Sequence, residues 1–332
     1  MDREKFIRPS ITTRVYEKDL LTSENINRLI DSEDLEEALS SLNDTKYGEK
    51  IQNLERAENY EKVLSNMLLD SYKDMIKISP DENLVKYLEE KYNFHNLKTL
   101  VKELIQDEDY QSIYIDIGDI DLVSIKRSLK EDLVKEDDKY LSYAKKALDL
   151  YEENKDPQDI DLSLDKDFYE KLLEDAKNLD YESLIEFTRE RIDLTNLKTL
   201  LRIKGQAQSV DLLEKALIDG GFIEKNLFRD SLNAEKSTYA NLLSRQKTFQ
   251  AVRDALDYDN LNRSMQELEK VIDDHLMNFA KESKTVSYGP EVIMGYLISR
   301  EMEIKNLRII LVAKLNSLSR EFIEERLRDL YV

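Results

Sequence analysis

Two histidines, no cysteine and seventy Asp and Glu residues make up the reactive side chains of this 332-residue chain. His95 and His275 are far apart and share no His-x-x-x-His spacing. Without a thiolate to join them, a tetrahedral zinc site has too few ligands. His95 is read as a helix-edge histidine. The stretch "DPQDIDLSLDKD" from Asp156 spaces its acids somewhat like a calcium loop, but has no glycine at the sixth place and no glutamate at the twelfth. No G-x-x-x-x-G-K-[ST] or G-x-G-x-x-G segment is present to cradle a phosphate. Lys204-Gly205 and Gly220-Gly221 are isolated, and Gly220-Gly221, after "LLEKALID", reads as a helix stop. Acid–base catalysis by two carboxylates needs unlike environments, and no spacing here announces them. The expectation is a chain with no catalytic residue, no cofactor and no metal.

The elements behind these residues read as helical. Hydrophobic residues make up 41% and charged residues 36% of the chain, with only seven Gly and four Pro to punctuate it. A β-rich chain would need more turn residues. The formal net charge of −20 repels phosphate backbones and anionic lipid. Nucleic acid is therefore not expected as a partner, and an electrostatic partner should be locally basic. The opening "MDREKFIRPSITTR" has no apolar signal core. The longest purely apolar run is Ile309 to Ala313, against roughly 20 residues for a membrane span. Direct membrane insertion is not expected, and the absence of cysteine is consistent with a cytosolic setting.

One short word recurs. Asn96-Leu97-Lys98, Asn196-Leu197-Lys198 and Asn306-Leu307-Arg308 are separated by 100 and then 110 positions. On a helix, Phe94, Leu97, Val101 and Leu104 fall on one stripe. Leu194, Leu197, Leu200 and Leu201 repeat it, as do Ile304, Leu307, Ile310 and Leu311. Asn96, Asn196 and Asn306 flank the stripe on one side, and Lys98, Lys198 and Arg308 on the other. The asparagines should be partly buried, Asn306 most of all, as packing or interface residues. Asp193 and Glu303 stand three residues before their asparagines, within reach of the amide, whereas the first copy has Asn93.

A breaker and a second amphipathic helix follow each word: "LVSIKRSL", "VDLLEKALIDGG" and "REFIEERLRDLY". The pattern predicts three helical units of about 100 residues, near 1–100, 101–205 and 206–332, with helices shared across the cuts. Polar, breaker-bearing stretches at 152–165 and 280–291 read as boundaries. "SIYIDIGDIDLV" (112–123) alternates like a strand and reads as an extended linker or one short strand.

The segment "PEVIMGYLISREMEIKNLRIILVAKLNSLSREFIEERLRDLYV" resembles the C-terminal signature of the C-type subunits of bacterial and archaeal V-type (A-type) ATP synthases, whose eukaryotic counterpart is the vacuolar ATPase d subunit. Glu303, Ile304, Lys305, Asn306, Leu307, Arg308 and Ile310 match its core. Thr45 and Tyr47 match a short N-terminal Thr-x-Tyr, and "IDGGFI" (218–223) matches a mid-chain Gly-Gly. Ala313 and Ser317 depart from the family, which often has glycine there. The resemblance implies an all-α fold of three similar subdomains in a pseudo-threefold, funnel-like arrangement. It implies a non-catalytic central-stalk (rotor) subunit that links the central shaft to the membrane rotor ring. Torque would pass through it between ATP turnover and H⁺ or Na⁺ transport. Its expected place is cytoplasmic, peripheral on the inner face of the cell membrane. A helical adaptor without a rotary role predicts the same composition but not the whole-length resemblance. A carboxylate enzyme predicts a concave cluster of perturbed acids.

Overall fold

The computed structural model describes residues 3–131, 138–206, 209–234 and 261–332, with side chains from 265 onward in the last segment. Among the described residues there is no strand. The helices are α1 (Ile7–Tyr16), α2 (Ser23–Asp31), α3 (Leu35–Ser40), α4 (Gly48–Gln52), α5 (Tyr60–Ile78), α6 (Glu82–Gln106), α7 (Leu122–Lys130) and α8 (Lys139–Asn154). They continue as α9 (Pro157–Leu179), α10 (Glu182–Gly205), α11 (Val210–Ala216), α12 (Lys225–Leu232), α13 (Leu261–Ser283), α14 (Pro290–Leu315) and α15 (Arg320–Arg326). The chain is all-α, as its composition requires.

Helix starts follow the capping rules closely. Thr22 and Asn25 form a reciprocal capping box on α2. Asp34, Asp121, Asp138, Ser209 and Ser319 each accept a backbone N–H in the first turn of the helix they precede. The acidic stretch at 152–165 is a correction to the sequence reading. Lys155 turns the chain in a left-handed conformation, Asp156 caps α9, and Pro157 occupies its first turn. Asp-Pro is a helix start as well as a breaker, and here it starts a helix of 23 residues. The stretch at 280–291 is likewise a turn, between α13 and α14, with Gly289-Pro290 opening α14.

The packing divides the chain into two compact units, Met1–Val85 with Gln266–Val332, and Lys86–Met265. Both breaker stretches lie inside a unit. In the first, α14 is the central helix. It is buried on nearly every face, as a helix surrounded by others is. It packs against α1 and α5. The α5 face is a stripe of Val63, Leu64, Met67, Leu68, Ser71, Tyr72 and Met75 at helical spacing. Where α14 meets α13, Gly295 is required: a β-carbon there would lie 2.1 Å from Ser283 Oγ.

In the second unit α10 is the counterpart, buried at Leu184, Phe187, Thr188, Ile192, Leu194, Leu197, Leu200 and Leu201. It packs on α9, and α9 on α8. Phe94 meets Tyr143 and Phe168 with ring centroids 5.4 and 5.5 Å apart, distances at which aromatic pairs add to simple burial. Tyr87 and Thr188 share a buried hydrogen bond of 2.8 Å between α6 and α10. Each repeated word thus sits in a long helix: α6, α10 and α14.

Candidate functional site: three asparagine clasps and a buried ion pair

An asparagine side chain carries a donor and an acceptor on one planar group, the same pair that a peptide unit offers. Each of the three asparagines uses both on the backbone of a single residue. Asn96 Nδ2 donates to the Ile115 carbonyl at 2.8 Å, and Ile115 N donates to Asn96 Oδ1 at 2.9 Å. Asn196 does the same with Ile218, at 2.9 and 2.8 Å. Asn306 does it with Arg328, at 3.0 and 2.8 Å. Each side chain therefore pins the backbone of one residue outside the helices to the flank of a long helix. In the second and third copies the pinned residue follows the short helix, α11 or α15. In the first it precedes α7, in the non-helical stretch 114–121; the last two residues of "SIYIDIGDIDLV", Leu122 and Val123, open α7. The asparagines are 3%, 1% and 0% exposed in chain order.

The cations of the words stay at the helix edges. Lys98 pairs with Asp165 at 2.6 Å, and Arg308 with Glu61 through Nε at 3.1 Å. Lys198 is half-buried. His95 sits at an edge, its Nε2 3.1 Å from the Ile113 carbonyl.

The acids three residues before the asparagines do not reach the amides. Asp193 instead accepts Phe222 N at 3.0 Å and Ile223 N at 3.1 Å. It and Asn196 bond to different stretches of the same passing segment. Burial pushes its carboxyl up to about 6, although the two backbone donors and Arg189 oppose the shift. That segment runs close because Gly220 and Gly221 let it. Gly220 has φ +100, and a β-carbon on Gly221 would lie 2.0 Å from Asp193 Oδ1. Gly220-Gly221 is therefore not a helix stop. α11 ends earlier, at Ala216, and its cap Leu217 is extended. Gly118 is the first-copy equivalent: it has φ +101, and its β-carbon would lie 2.0 Å from Asn93 Oδ1.

In the third copy Glu303 turns to the N-terminal segment. One carboxylate oxygen accepts Leu21 N; the other accepts Tyr47 OH at 2.6 Å and pairs with Arg300. Arg300 also reaches Tyr296 OH at 3.5 Å. Arg300 and Glu303 are 2% and 5% exposed, a buried ion pair on one face of α14. Burial, then the Glu303 charge, pushes the Tyr47 hydroxyl well above the ordinary phenol range. Burial alone would weaken the Arg300 charge, but Glu303, Tyr47 and Tyr296 outweigh it. Sequence reasoning picks out Tyr47 and Glu303 but not Arg300. Its signal is the Arg-x-x-Glu spacing, which sets the two side chains one turn apart on a helix face.

These groups bind one another and the passing backbone. Among the described residues no group of three His, Cys, Asp or Glu is placed to hold a metal. The arrangement fastens segments to helices.

The family model for the ATP synthase (C/AC39) subunit matches residues 12–326. The chain belongs to that family. Among curated relatives, the C-type subunit of the V-type sodium ATPase of Enterococcus hirae is 25% identical over 96% of this chain and 96% of its own length. The C-type subunits of the A-type ATP synthases of Methanocaldococcus jannaschii and Thermococcus kodakarensis are 27% and 28% identical over 96% of this chain, covering 84% and 88% of theirs. As a C/AC39 chain it is a non-catalytic subunit of a V/A-type ATPase. All three clasps fall within the C/AC39 match except Arg328, two residues beyond it.

Proposed function

We propose that this chain is a central-stalk rotor subunit. It seats the central shaft, docks on the membrane rotor ring, and carries torque between ATP turnover and H⁺ or Na⁺ transport. The observation that carries the reading is the match to the C/AC39 family over residues 12–326, nearly the whole chain. The clasps support it. A torque-bearing part has to deform little under load, and close-packed helices with doubly bonded connections are stiff. The three repeated words support three similar subdomains about a pseudo-threefold axis, near 1–100, 101–205 and 206–332. The net charge of −20 favours a basic shaft end as the seated partner. In this reading docking is peripheral, on the cytoplasmic face; among the described residues no helix is long and apolar enough to cross a membrane, which is consistent with the peripheral part of it.

Reconstitution tests the proposal. The ATPase complex is assembled with and without this chain, and ATP-driven ion transport into vesicles is measured beside ATP hydrolysis. Omission is expected to abolish transport while hydrolysis by the catalytic head persists, and adding the chain back restores coupling. Unchanged transport without it would refute the rotor role.

A further inference from the structure

Lys98, Lys102, Lys126 and Lys171 on this acidic surface are each paired with a carboxylate. A cleft in the second unit, lined from α8, α9 and α11, is different. It has a volume of about 400 Å³, within the range of small-molecule sites. Three lysines line it, Lys146, Lys166 and Lys215, against one acid, Asp159. Asp159 already accepts Asn154 Nδ2 at 2.6 Å, and Lys146 pairs with Asp167 at 2.7 Å. Lys166 and Lys215 form no ion pair among the described residues. Leu150 and Leu162 supply apolar wall.

The floor carries a second, independent sign. Ser163 lines the cleft, is 7% exposed, and its hydroxyl has no hydrogen-bond partner. A helical serine ordinarily bonds back to the carbonyl four residues earlier, as Ser71 does to Met67. A buried hydroxyl left without a partner is disfavoured, unless something enters the cleft to accept its hydrogen bond. Burial, and then the neighbouring Lys225 charge, lowers the Lys166 pKa, with Asp219 and Asp167 opposing. An anion beside Lys166 would offset the Lys225 charge.

We propose that this cleft binds a small organic anion, with its carboxylate or phosphate head between Lys166, Lys215 and the Ser163 hydroxyl and its apolar body against Leu150 and Leu162. Charge-assisted hydrogen bonds to the two ammonium groups fix the head. The apolar wall selects against bare inorganic ions. The site is separate from the clasps and from the ion pair of α14.

Octanoate serves as the probe, titrated into the full-length chain by calorimetry and by amide NMR shifts. Octan-1-ol, with the body but no charge, and inorganic phosphate, with the charge but no body, are run beside it. Saturable octanoate binding is expected, with shifts confined to α8, α9 and α11, and at least about tenfold weaker binding of both controls. Lys166→Met should weaken octanoate about tenfold and Lys166→Arg should largely restore it. Lys215 is exposed, so Lys215→Met leaves the fold alone, and it should also weaken binding several-fold. Ser163→Ala should weaken it a few-fold. Octanol binding as well as octanoate, or octanoate affinity unchanged in both Lys166→Met and Lys215→Met, overturns the proposal. So does saturable binding of an acidic peptide with none of octanoate, which would assign the lysines to a protein partner.

Discussion

Replacing one of the three asparagines by leucine removes a donor and an acceptor together, while leaving a backbone N–H and a carbonyl without partners. A buried unpaired polar group is disfavoured by roughly 1–3 kcal/mol. The damage should follow burial, from 0% exposure at Asn306 through 1% at Asn196 to 3% at Asn96. Denaturant unfolding of the three single variants is expected to show losses in that order. Equal and negligible losses would mean that water satisfies the freed groups. Glu89 gives a second expectation of opposite sign. It is 5% exposed and forms no hydrogen bond among the described residues. Burial, then the nearby Asp119 charge, raises its carboxyl from 4.5 to about 7, with Lys86 opposing and Glu90 adding. The folded chain therefore holds this proton more tightly than the unfolded chain does. Stability is highest when Glu89 is protonated, falls as pH rises from about 4.5 to 7, and is then level. Glu89→Gln should remove that slope. At pH 8 it should stabilise the chain by up to about 3 kcal/mol, the interval converted at roughly 1.4 kcal/mol per pH unit. Melting curves at pH 5 and pH 8 check it: the variant should gain at pH 8 and scarcely at pH 5.

At the scale of elements, the two glycine passages decide whether a connection can approach its helix at all. Gly221→Ala would force a β-carbon into Asp193, and Gly118→Ala adds a left-handed backbone to the same clash with Asn93. Both should destabilise by about 2 kcal/mol or more, Gly118→Ala more than Gly221→Ala, measured by thermal unfolding. Shrinking the neighbour, as in Asp193→Ala with Gly221→Ala, should recover part of the loss if the clash is the cause. These passages show where sequence reasoning stops. The long helices are legible because apolar side chains recur every three or four positions, and most caps because Asp, Ser and Thr announce them. The residues that the asparagines hold, Ile115, Ile218 and Arg328, are not legible. They are held through main-chain atoms, which every residue carries alike. Gly220-Gly221 misleads because a glycine pair serves a helix end or a close passage equally well, and only the neighbouring Asp193 distinguishes them. The Asp156-Pro157 pair misleads for a similar reason: one dipeptide can end a segment or begin a helix.

At the scale of the molecule, charge is the property that composition states most directly and that folding alters least. Surface ion pairs neutralise partners in equal numbers, so they leave the net −20 in place. A field of that size acts beyond contact distance. It speeds the approach of a basic partner and slows an acidic one, and salt screens it over about 10 Å at 0.1 M and about 3 Å at 1 M. If the chain seats a basic shaft end, as proposed, association should be fast at low salt. Its rate constant should fall by about tenfold or more between roughly 0.05 and 0.5 M salt. Dissociation depends on short-range packing and should change far less. Stopped-flow or surface-capture kinetics with the purified shaft proteins separates the two. Association insensitive to salt would show that the acidic surface faces solvent in the complex rather than the shaft. A rise in the dissociation rate alone would place the attraction in a few close pairs, and Arg308→Gln and Glu61→Gln would then be the variants to compare, since that exposed pair sits on the third repeat word itself.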